Sequence, residues 1–160
     1  AMILTQCISL SGARKSVDYR VLLTIVAALG IGAAMRESGL AGSLIESIMS
    51  LGGGSTLMTI ACLYAATLII SEFLTNTAAA GIMINFAFAL AQTTGIDIVP
   101  LAMVVMVGSS AAFATPFGYQ TNMMIYGPGG YRFADYLRIG IPLDIIVGIV
   151  ATASIYYFYF

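Results

Sequence analysis

Two long stretches of the chain carry almost no charge, and this property limits the fold more than any other. Between residues 47 and 96 the only charged residue is Glu72, and residues 98–131 contain none. Charged residues make up 8% of the whole chain, against about 25% in soluble domains. Such a chain lacks the charged and polar surface that a water-soluble fold needs. A helix of about 20 apolar residues is instead long enough to cross a bilayer. The sequence therefore predicts an all-α integral membrane protein.

The remaining composition argues against several functional classes. The net charge is −1 and histidine is absent, so nothing indicates nucleic-acid binding. Cys7 and Cys62 lack the spacing of metal ligands, and the sequence shows neither a nucleophile–base pair nor a metal cluster. The first residues lack the basic region of a signal peptide. We therefore expect a membrane protein that is not an enzyme, and a chain that is a fragment of a larger one.

Breaks in the apolar pattern divide the chain into five segments. Glycine, proline and polar clusters mark the boundaries, because they end or cap helices. The predicted segments are a span at 18–39, an interfacial connector at 40–54, a re-entrant helical hairpin at 57–92, a broken (discontinuous) span at 97–127 and a final span at 141–160. Basic residues near the start (Arg14, Lys15 and Arg20) and between the broken and final spans (Arg132 and Arg138) predict that both of these places are cytoplasmic. Two layouts fit, four full spans or two spans around the hairpin, and the polar tip at 75–77 favours the hairpin.

Two polar interruptions fall inside the apolar helices. Thr75, Asn76 and Thr77 form the tip of the predicted hairpin, with strongly apolar flanks on both sides. The second interruption covers residues 115–122, where a proline and a glycine break the predicted helix. Unpartnered polar groups in an apolar environment cost roughly 2–7 kcal/mol. Helix ends at mid-membrane expose carbonyls that suit Na⁺ and N–H groups that suit anions, so both breaks are candidate walls of a binding site.

These polar residues also have structural interpretations. Serine, threonine and asparagine can join transmembrane helices by hydrogen bonds without binding a ligand. Glu72 can be a buried ligand or relay, or it can accept backbone N–H bonds beside the hairpin tip. Asn76 or Thr77 is expected to cap the second hairpin helix. Asp97 and Asp144 are expected to be a helix cap and an interfacial residue, respectively.

At the two breaks the chain resembles the divalent-anion/sodium symporter superfamily. Residues 71–78 look like the second of that family's two Ser-Asn-Thr hairpin motifs, and residues 108–122 look like its second discontinuous helix. Residues 126–133 are similar to members that carry cytoplasmic RCK-type regulatory insertions, several of them associated with sulfate. The resemblance implies the C-terminal part of the second inverted repeat of an elevator-type transporter. It also implies that the full-length protein is a homodimer and that a first repeat, which this chain lacks, is the partner of this segment. The membrane is expected to be the bacterial inner membrane.

The resemblance further implies roles for individual residues. A sodium site would use Ser71, Asn76 and the carbonyls of Leu74 and Gly118. A small anionic substrate would contact the hairpin tip and the loop of the second break, namely Thr75, Asn76, Thr77, Tyr119, Gln120, Thr121 and Asn122. Na⁺ is the expected coupling ion, and no organic cofactor is expected.

Two departures from the family pattern bear on the substrate. Thr75 stands where the family has serine, which keeps the hydroxyl but adds a methyl group. Gly118, Tyr119 and Gln120 stand where dicarboxylate carriers typically have Ala-Thr-Pro, and the larger Tyr119 is consistent with a smaller anion such as sulfate. We predict part of a sodium-coupled transporter for sulfate or a di- or tricarboxylate. The alternatives are a non-transporting helical scaffold, or a proton- or oxyanion-handling efflux permease in which Glu72 carries the coupling.

Overall fold

The computed structural model describes residues 55–160 continuously, together with isolated positions between residues 23 and 50. Within residues 55–160 every regular element is an α-helix, which agrees with the predicted all-α fold class. The helices are α1 (Thr56–Phe73), α2 (Asn76–Thr94), α3 (Ile98–Ser110), α4 (Gln120–Tyr126) and α5 (Phe133–Tyr159). The predicted span at 18–39 and connector at 40–54 lie outside the continuously described residues.

Helices α1 and α2 are joined by a turn of two residues, Leu74 and Thr75. Thr75 is the N-cap of α2, and its Oγ1 accepts a hydrogen bond from Ala78 N at 3.3 Å. The prediction that Asn76 or Thr77 caps this helix is therefore wrong by one or two positions. Thr75 has the extended backbone of a cap residue, whereas Asn76 is already helical and its side chain is turned towards α1 and α3.

Helix α3 begins at the predicted cap and ends earlier than the second break was expected to begin. Asp97 caps it by accepting from Val99 N at 3.1 Å, and Pro100 occupies the first turn. The helix stops at Ser110, so the interruption covers residues 111–119 rather than 115–122. A residue before proline is disfavoured in the α conformation, which accounts for the break at Thr115 but not for its earlier start. That start coincides with two carboxylates that accept the N–H groups of Phe113 and Ala114.

Helix α5 begins eight residues before the predicted final span at 141–160. The backbone N–H of Arg132 donates to the Asp135 carboxylate at 2.8 Å, which stabilises the first turn. Pro142 lies inside the helix and removes one backbone donor without ending it. Residues 133–140 are therefore helical and continuous with the predicted final span.

Helices α1 and α3 form the centre of the described bundle. Each packs against the other, and α2 and α5 pack against both of them. Their largest fully buried apolar side chains include Ile60, Leu63, Leu90, Leu101 and Val104. Helices α1, α2 and α5 are each long and apolar enough to cross a membrane. By length each hairpin helix could therefore span the bilayer, and the choice between the two predicted layouts stays a prediction.

Candidate functional site

The structure places the two polar interruptions against each other. Ser71 Oγ, in the last turn of α1, donates a hydrogen bond to the carbonyl of Ser109 at the end of α3, at 2.6 Å. Thr115 Oγ1 donates to the carbonyl of Glu72 at 2.7 Å. All four residues are buried, so these bonds form away from bulk water. The ends of α1 and α3 therefore share one polar region inside the bundle.

Oxygen atoms converge at this contact around the side-chain amide of Asn76. One terminal atom of the amide lies 2.9 Å from the Gly118 carbonyl oxygen and 3.1 Å from the Ser109 carbonyl oxygen. The same position is 3.3 Å from Ser71 Oγ. The amide nitrogen in that position donates to both carbonyls, whereas rotation of the amide by about 180° places its oxygen among them. We call Ser71 Oγ, the Asn76 amide and the Ser109 and Gly118 carbonyls the oxygen cluster.

Three of the four predicted sodium ligands belong to the oxygen cluster. Ser71, Asn76 and Gly118 contribute to it, and the Ser109 carbonyl is an additional member that the sequence did not reveal. Leu74 is the C-cap residue of α1, where its N–H donates to the Ile70 carbonyl at 3.0 Å. The participation of the Leu74 carbonyl stays a prediction.

A cavity of about 470 Å³ adjoins the oxygen cluster. Asn76 and Gly118 belong to both features, because the cavity runs between the hairpin tip and the loop before α4. Six of the seven predicted substrate residues line it, together with Gly118 and two apolar side chains: Thr75, Asn76, Thr77, Tyr119, Gln120, Thr121, Phe117 and Met124. A volume of this order is typical of small-molecule sites.

Asn122, the seventh predicted substrate residue, is placed differently. It does not line the 470 Å³ cavity, and its Nδ2 donates to the carbonyls of Ala112 at 3.3 Å and Thr115 at 3.2 Å. Its own carbonyl accepts a hydrogen bond from Tyr136 Oη at 3.0 Å. Asn122 therefore links the two sides of the interruption and connects α4 to α5.

Asp144 is buried, so the prediction that it is an interfacial residue is wrong. Only 4% of it is exposed, and its Oδ1 accepts from Phe113 N at 3.3 Å. A signal for this burial is present in the sequence, because Gly140, Asp144, Gly148 and Thr152 recur every four residues and all four are buried. Residues at this spacing share one face of a helix. The face of α5 that meets the rest of the bundle therefore includes an acidic side chain.

Comparison with known sequences places the chain among membrane transporters. A model of the family described as "Citrate transporter" matches residues 1–160. The chain is 40% identical over 98% of its length to "Probable sodium/sulfate cotransporter 3" of Chlamydomonas reinhardtii, and 39% identical over 94% to "Sodium/sulfate cotransporter 2" of the same alga. It is 25% identical over 89% of its length to "Sodium-dependent dicarboxylate transporter SdcS" of Staphylococcus aureus.

The chain covers a small part of these relatives. It spans 18%, 17% and 28% of their respective lengths. Their names agree with the predicted resemblance to anion/sodium symporters, which is therefore confirmed at the level of the family.

Proposed function

Because the chain belongs to the citrate transporter family, we propose that it is part of a sodium-coupled secondary active transporter for a small divalent anion. The observation that carries this proposal is the oxygen cluster at the meeting point of two helix interruptions. Hydroxyl, amide and carbonyl oxygens are hard ligands, and Na⁺ is coordinated by such oxygens at broken membrane helices. The sodium-dependent names of the relatives support the same ion.

In the proposed site, Na⁺ is held by Ser71, Asn76 and the Gly118 carbonyl, with the Ser109 and Leu74 carbonyls as further ligands. The Ser71 hydroxyl and the Asn76 amide are the two side chains that can reorient on ion binding. In the structure the Ser71 hydroxyl donates to the Ser109 carbonyl, and the amide nitrogen of Asn76 can donate to the Ser109 and Gly118 carbonyls. With the ion, rotation turns their oxygens inward, and Na⁺ replaces the hydrogen-bond donors as the partner of the carbonyls.

The anion is proposed to occupy the 470 Å³ cavity next to the sodium site. The N-terminus of α2 begins at this cavity, and its free N–H groups and partial positive charge favour an anion. Thr75, Thr77, Gln120 and Thr121 add hydroxyl and amide groups. None of the lining residues is basic, so the bound Na⁺ would supply positive charge beside the anion. Anion binding would then require prior or simultaneous sodium binding, which is the coupling that a symporter needs.

The wider architecture is proposed from the resemblance to the symporter superfamily. The chain would be the C-terminal part of the second inverted repeat, and a first repeat would complete the site from the opposite side. The full carrier would work as a homodimer by elevator-like alternating access, in a membrane that we expect to be the bacterial inner membrane. RCK-type regulatory insertions would belong to the same full-length protein.

Sulfate is the preferred substrate in this proposal, and Tyr119 is the residue that would select it. Tyr119 lines the cavity. The resemblance to the symporter superfamily implies that dicarboxylate carriers typically have a smaller threonine at this position. We expect Tyr119→Thr to raise succinate uptake relative to sulfate uptake by about tenfold, because pocket shape typically discriminates by 10- to 200-fold. Uptake of both radiolabelled anions by the full-length carrier in proteoliposomes measures the ratio.

The matched control for this change is Tyr157→Thr, near the end of α5, where the side chain is 82% exposed. The control should leave the succinate-to-sulfate ratio within about twofold of wild type. An unchanged ratio in Tyr119→Thr would mean that Tyr119 does not select between the two anions.

The experiment that tests the proposed function is ion replacement in the full-length carrier. Sulfate uptake into proteoliposomes should require Na⁺ outside and fall to background when choline replaces it. Uptake that is driven equally well by a proton gradient in choline would instead support the permease alternative, for which Glu72 is the buried acid on α1. Absence of uptake under every gradient would support the scaffold alternative.

A further inference from the structure

Two buried acidic residues next to the oxygen cluster have no assigned part in ion or anion binding. Glu72, on α1, is 7% exposed, and Asp144, on α5, is 4% exposed. Within the described residues, Glu72 Oε2 is buried and has no hydrogen-bond partner. Burying a carboxylate in such surroundings costs free energy, so the positions of both groups need a physical explanation.

Both carboxylates hold consecutive N–H groups of the chain just after α3. Ala114 N donates to Glu72 Oε1 at 2.9 Å, and Phe113 N donates to Asp144 Oδ1 at 3.3 Å. These N–H groups follow a helix that has ended, so no further helical turn satisfies them. A buried donor without an acceptor costs about 1–3 kcal/mol. The two acids therefore stabilise the interrupted backbone at its first residues.

The held segment leads directly to the oxygen cluster. Thr115 Oγ1 donates to the Glu72 carbonyl at 2.7 Å and accepts from Gly118 N at 3.1 Å. Thr115 and Gly118 are both buried, which leaves this short loop little freedom to shift. A displacement of Phe113 and Ala114 would therefore move the Gly118 carbonyl.

Helix α5 is shaped to approach the interruption closely at the same place. Gly140 lies one turn before Asp144 and on the same face. A Cβ atom added at Gly140 would lie 2.2 Å from the Phe113 carbonyl oxygen and 2.5 Å from Ala114 Cα. Tyr64 Oη, from α1, donates to the Asp144 carbonyl at 3.3 Å and so holds α5 against α1. Gly140 thus allows the contact through which the Asp144 carboxylate reaches Phe113 N.

We propose that Asp144 is a positioning residue for sodium binding: with Glu72 it clamps the backbone at Phe113 and Ala114 and so sets the place of the Gly118 carbonyl. The inference rests on the proposed sodium-coupled function. It assigns Asp144 no contact with the ion or with the anion. Its effect passes through hydrogen-bond acceptance, so the acceptor oxygen matters and the negative charge of Asp144 does not.

The test uses the full-length carrier in proteoliposomes with Asp144→Ala and Asp144→Asn. The measured quantities are the Na⁺ concentration for half-maximal sulfate uptake and the sulfate KM at saturating Na⁺. Asp144→Ala should raise the half-saturating Na⁺ concentration about tenfold, because the acceptor of the partly buried Phe113 N–H is lost. Asp144→Asn should change it less than about twofold, because its Oδ1 still accepts from Phe113 N. The sulfate KM at saturating Na⁺ should stay near the wild-type value in both.

Asp97→Ala serves as the matched control, because Asp97 caps the far end of α3. It should leave the half-saturating Na⁺ concentration at the wild-type value. An unchanged value in Asp144→Ala, or a loss of maximal rate alone, would overturn the clamp. A tenfold rise in Asp144→Asn would also overturn it, because charge rather than hydrogen-bond acceptance would then matter. The near-isosteric asparagine variant keeps the proposal open to refutation if the alanine variant fails to fold.

Wild-type carrier assayed in parallel, with and without Na⁺, separates this inference from the function on which it rests. If wild-type uptake is indifferent to Na⁺, the proposed function fails and the clamp fails with it. If wild-type uptake requires Na⁺ and Asp144→Ala retains normal sodium affinity, only the clamp fails.

Discussion

Asn76→Ala is expected to reduce sodium-dependent uptake by the full-length carrier to below about 1% of wild type while leaving membrane insertion intact. The Asn76 amide lies within 3.1 Å of both the Gly118 and the Ser109 carbonyl oxygens, so it is the side chain that joins the two interruptions. Alanine removes a proposed ligand of a charged ion. A polar contact to a charged group contributes about 1.5–3 kcal/mol, and the upper value corresponds to about a hundredfold. Uptake in proteoliposomes, normalised to the amount of inserted carrier, measures the effect.

Asn85→Ala is the matched control for this prediction. Asn85 lies on the same helix, and its Nδ2 donates to the Gly81 carbonyl of that helix at 2.9 Å. The control therefore removes the same chemical group from α2 away from the oxygen cluster, and uptake should stay within about twofold of wild type. Wild-type uptake by Asn76→Ala would eliminate the proposed sodium site.

Gly140→Ala is expected to destabilise the full-length carrier by about 2 kcal/mol or more. The added Cβ would meet the Phe113 carbonyl oxygen at 2.2 Å and Ala114 Cα at 2.5 Å. Both are backbone atoms of a buried segment, so neither can rotate away as a flexible side chain would. Overpacking typically costs about 1–3 kcal/mol and occasionally more, and contacts this short with backbone atoms lie at the upper end. Subtracting the roughly 1 kcal/mol of helix propensity that alanine adds leaves about 2 kcal/mol or more. The midpoint of thermal unfolding of the purified carrier in detergent should fall by several degrees.

The chain offers a matched glycine for comparison. Gly127 follows α4 with a φ of −71°, and no heavy atom lies within 4 Å of an added Cβ. Gly127→Ala should therefore change the unfolding free energy by no more than about 0.5 kcal/mol. Equal thermal stability of Gly140→Ala and wild type would mean that α5 does not approach the interruption as closely as described.

The hairpin tip shows how much of the local structure the sequence pattern predicts. Apolar flanks around Thr75, Asn76 and Thr77 indicate two helices with a polar turn, and the structure has helices Thr56–Phe73 and Asn76–Thr94 there. The identity of the cap was not readable, because all three residues carry side chains that can accept an N–H bond. Thr75 takes that role since the Asn76 amide is engaged with α3 and the loop that follows it. A tertiary contact thus decided a local feature.

The second interruption shows what a local pattern fails to predict. Proline and glycine signal a break near residue 116, but α3 already ends at Ser110. The earlier end depends on carboxylates of Glu72 and Asp144, which are distant in sequence and accept N–H groups that a longer helix would have used. The four-residue spacing of Gly140, Asp144, Gly148 and Thr152 indicates that Asp144 faces the bundle, but it does not indicate which groups the carboxylate meets there.

The sequence by itself determined that this is a helical membrane protein with two polar interruptions, because hydrophobicity and helix breakers act over a few neighbouring residues. It also carried the resemblance to sodium-coupled anion carriers through the motifs at those interruptions. Only the tertiary structure decided that Ser109 joins Ser71, Asn76 and Gly118, and that Asp144 holds the backbone beside them. These groups lie on different helices, and the Ser109 and Gly118 contributions are backbone carbonyls that any residue possesses. The residue type does not indicate whether a backbone carbonyl belongs to a binding site, so the role of each carbonyl depends on where the packed helices end.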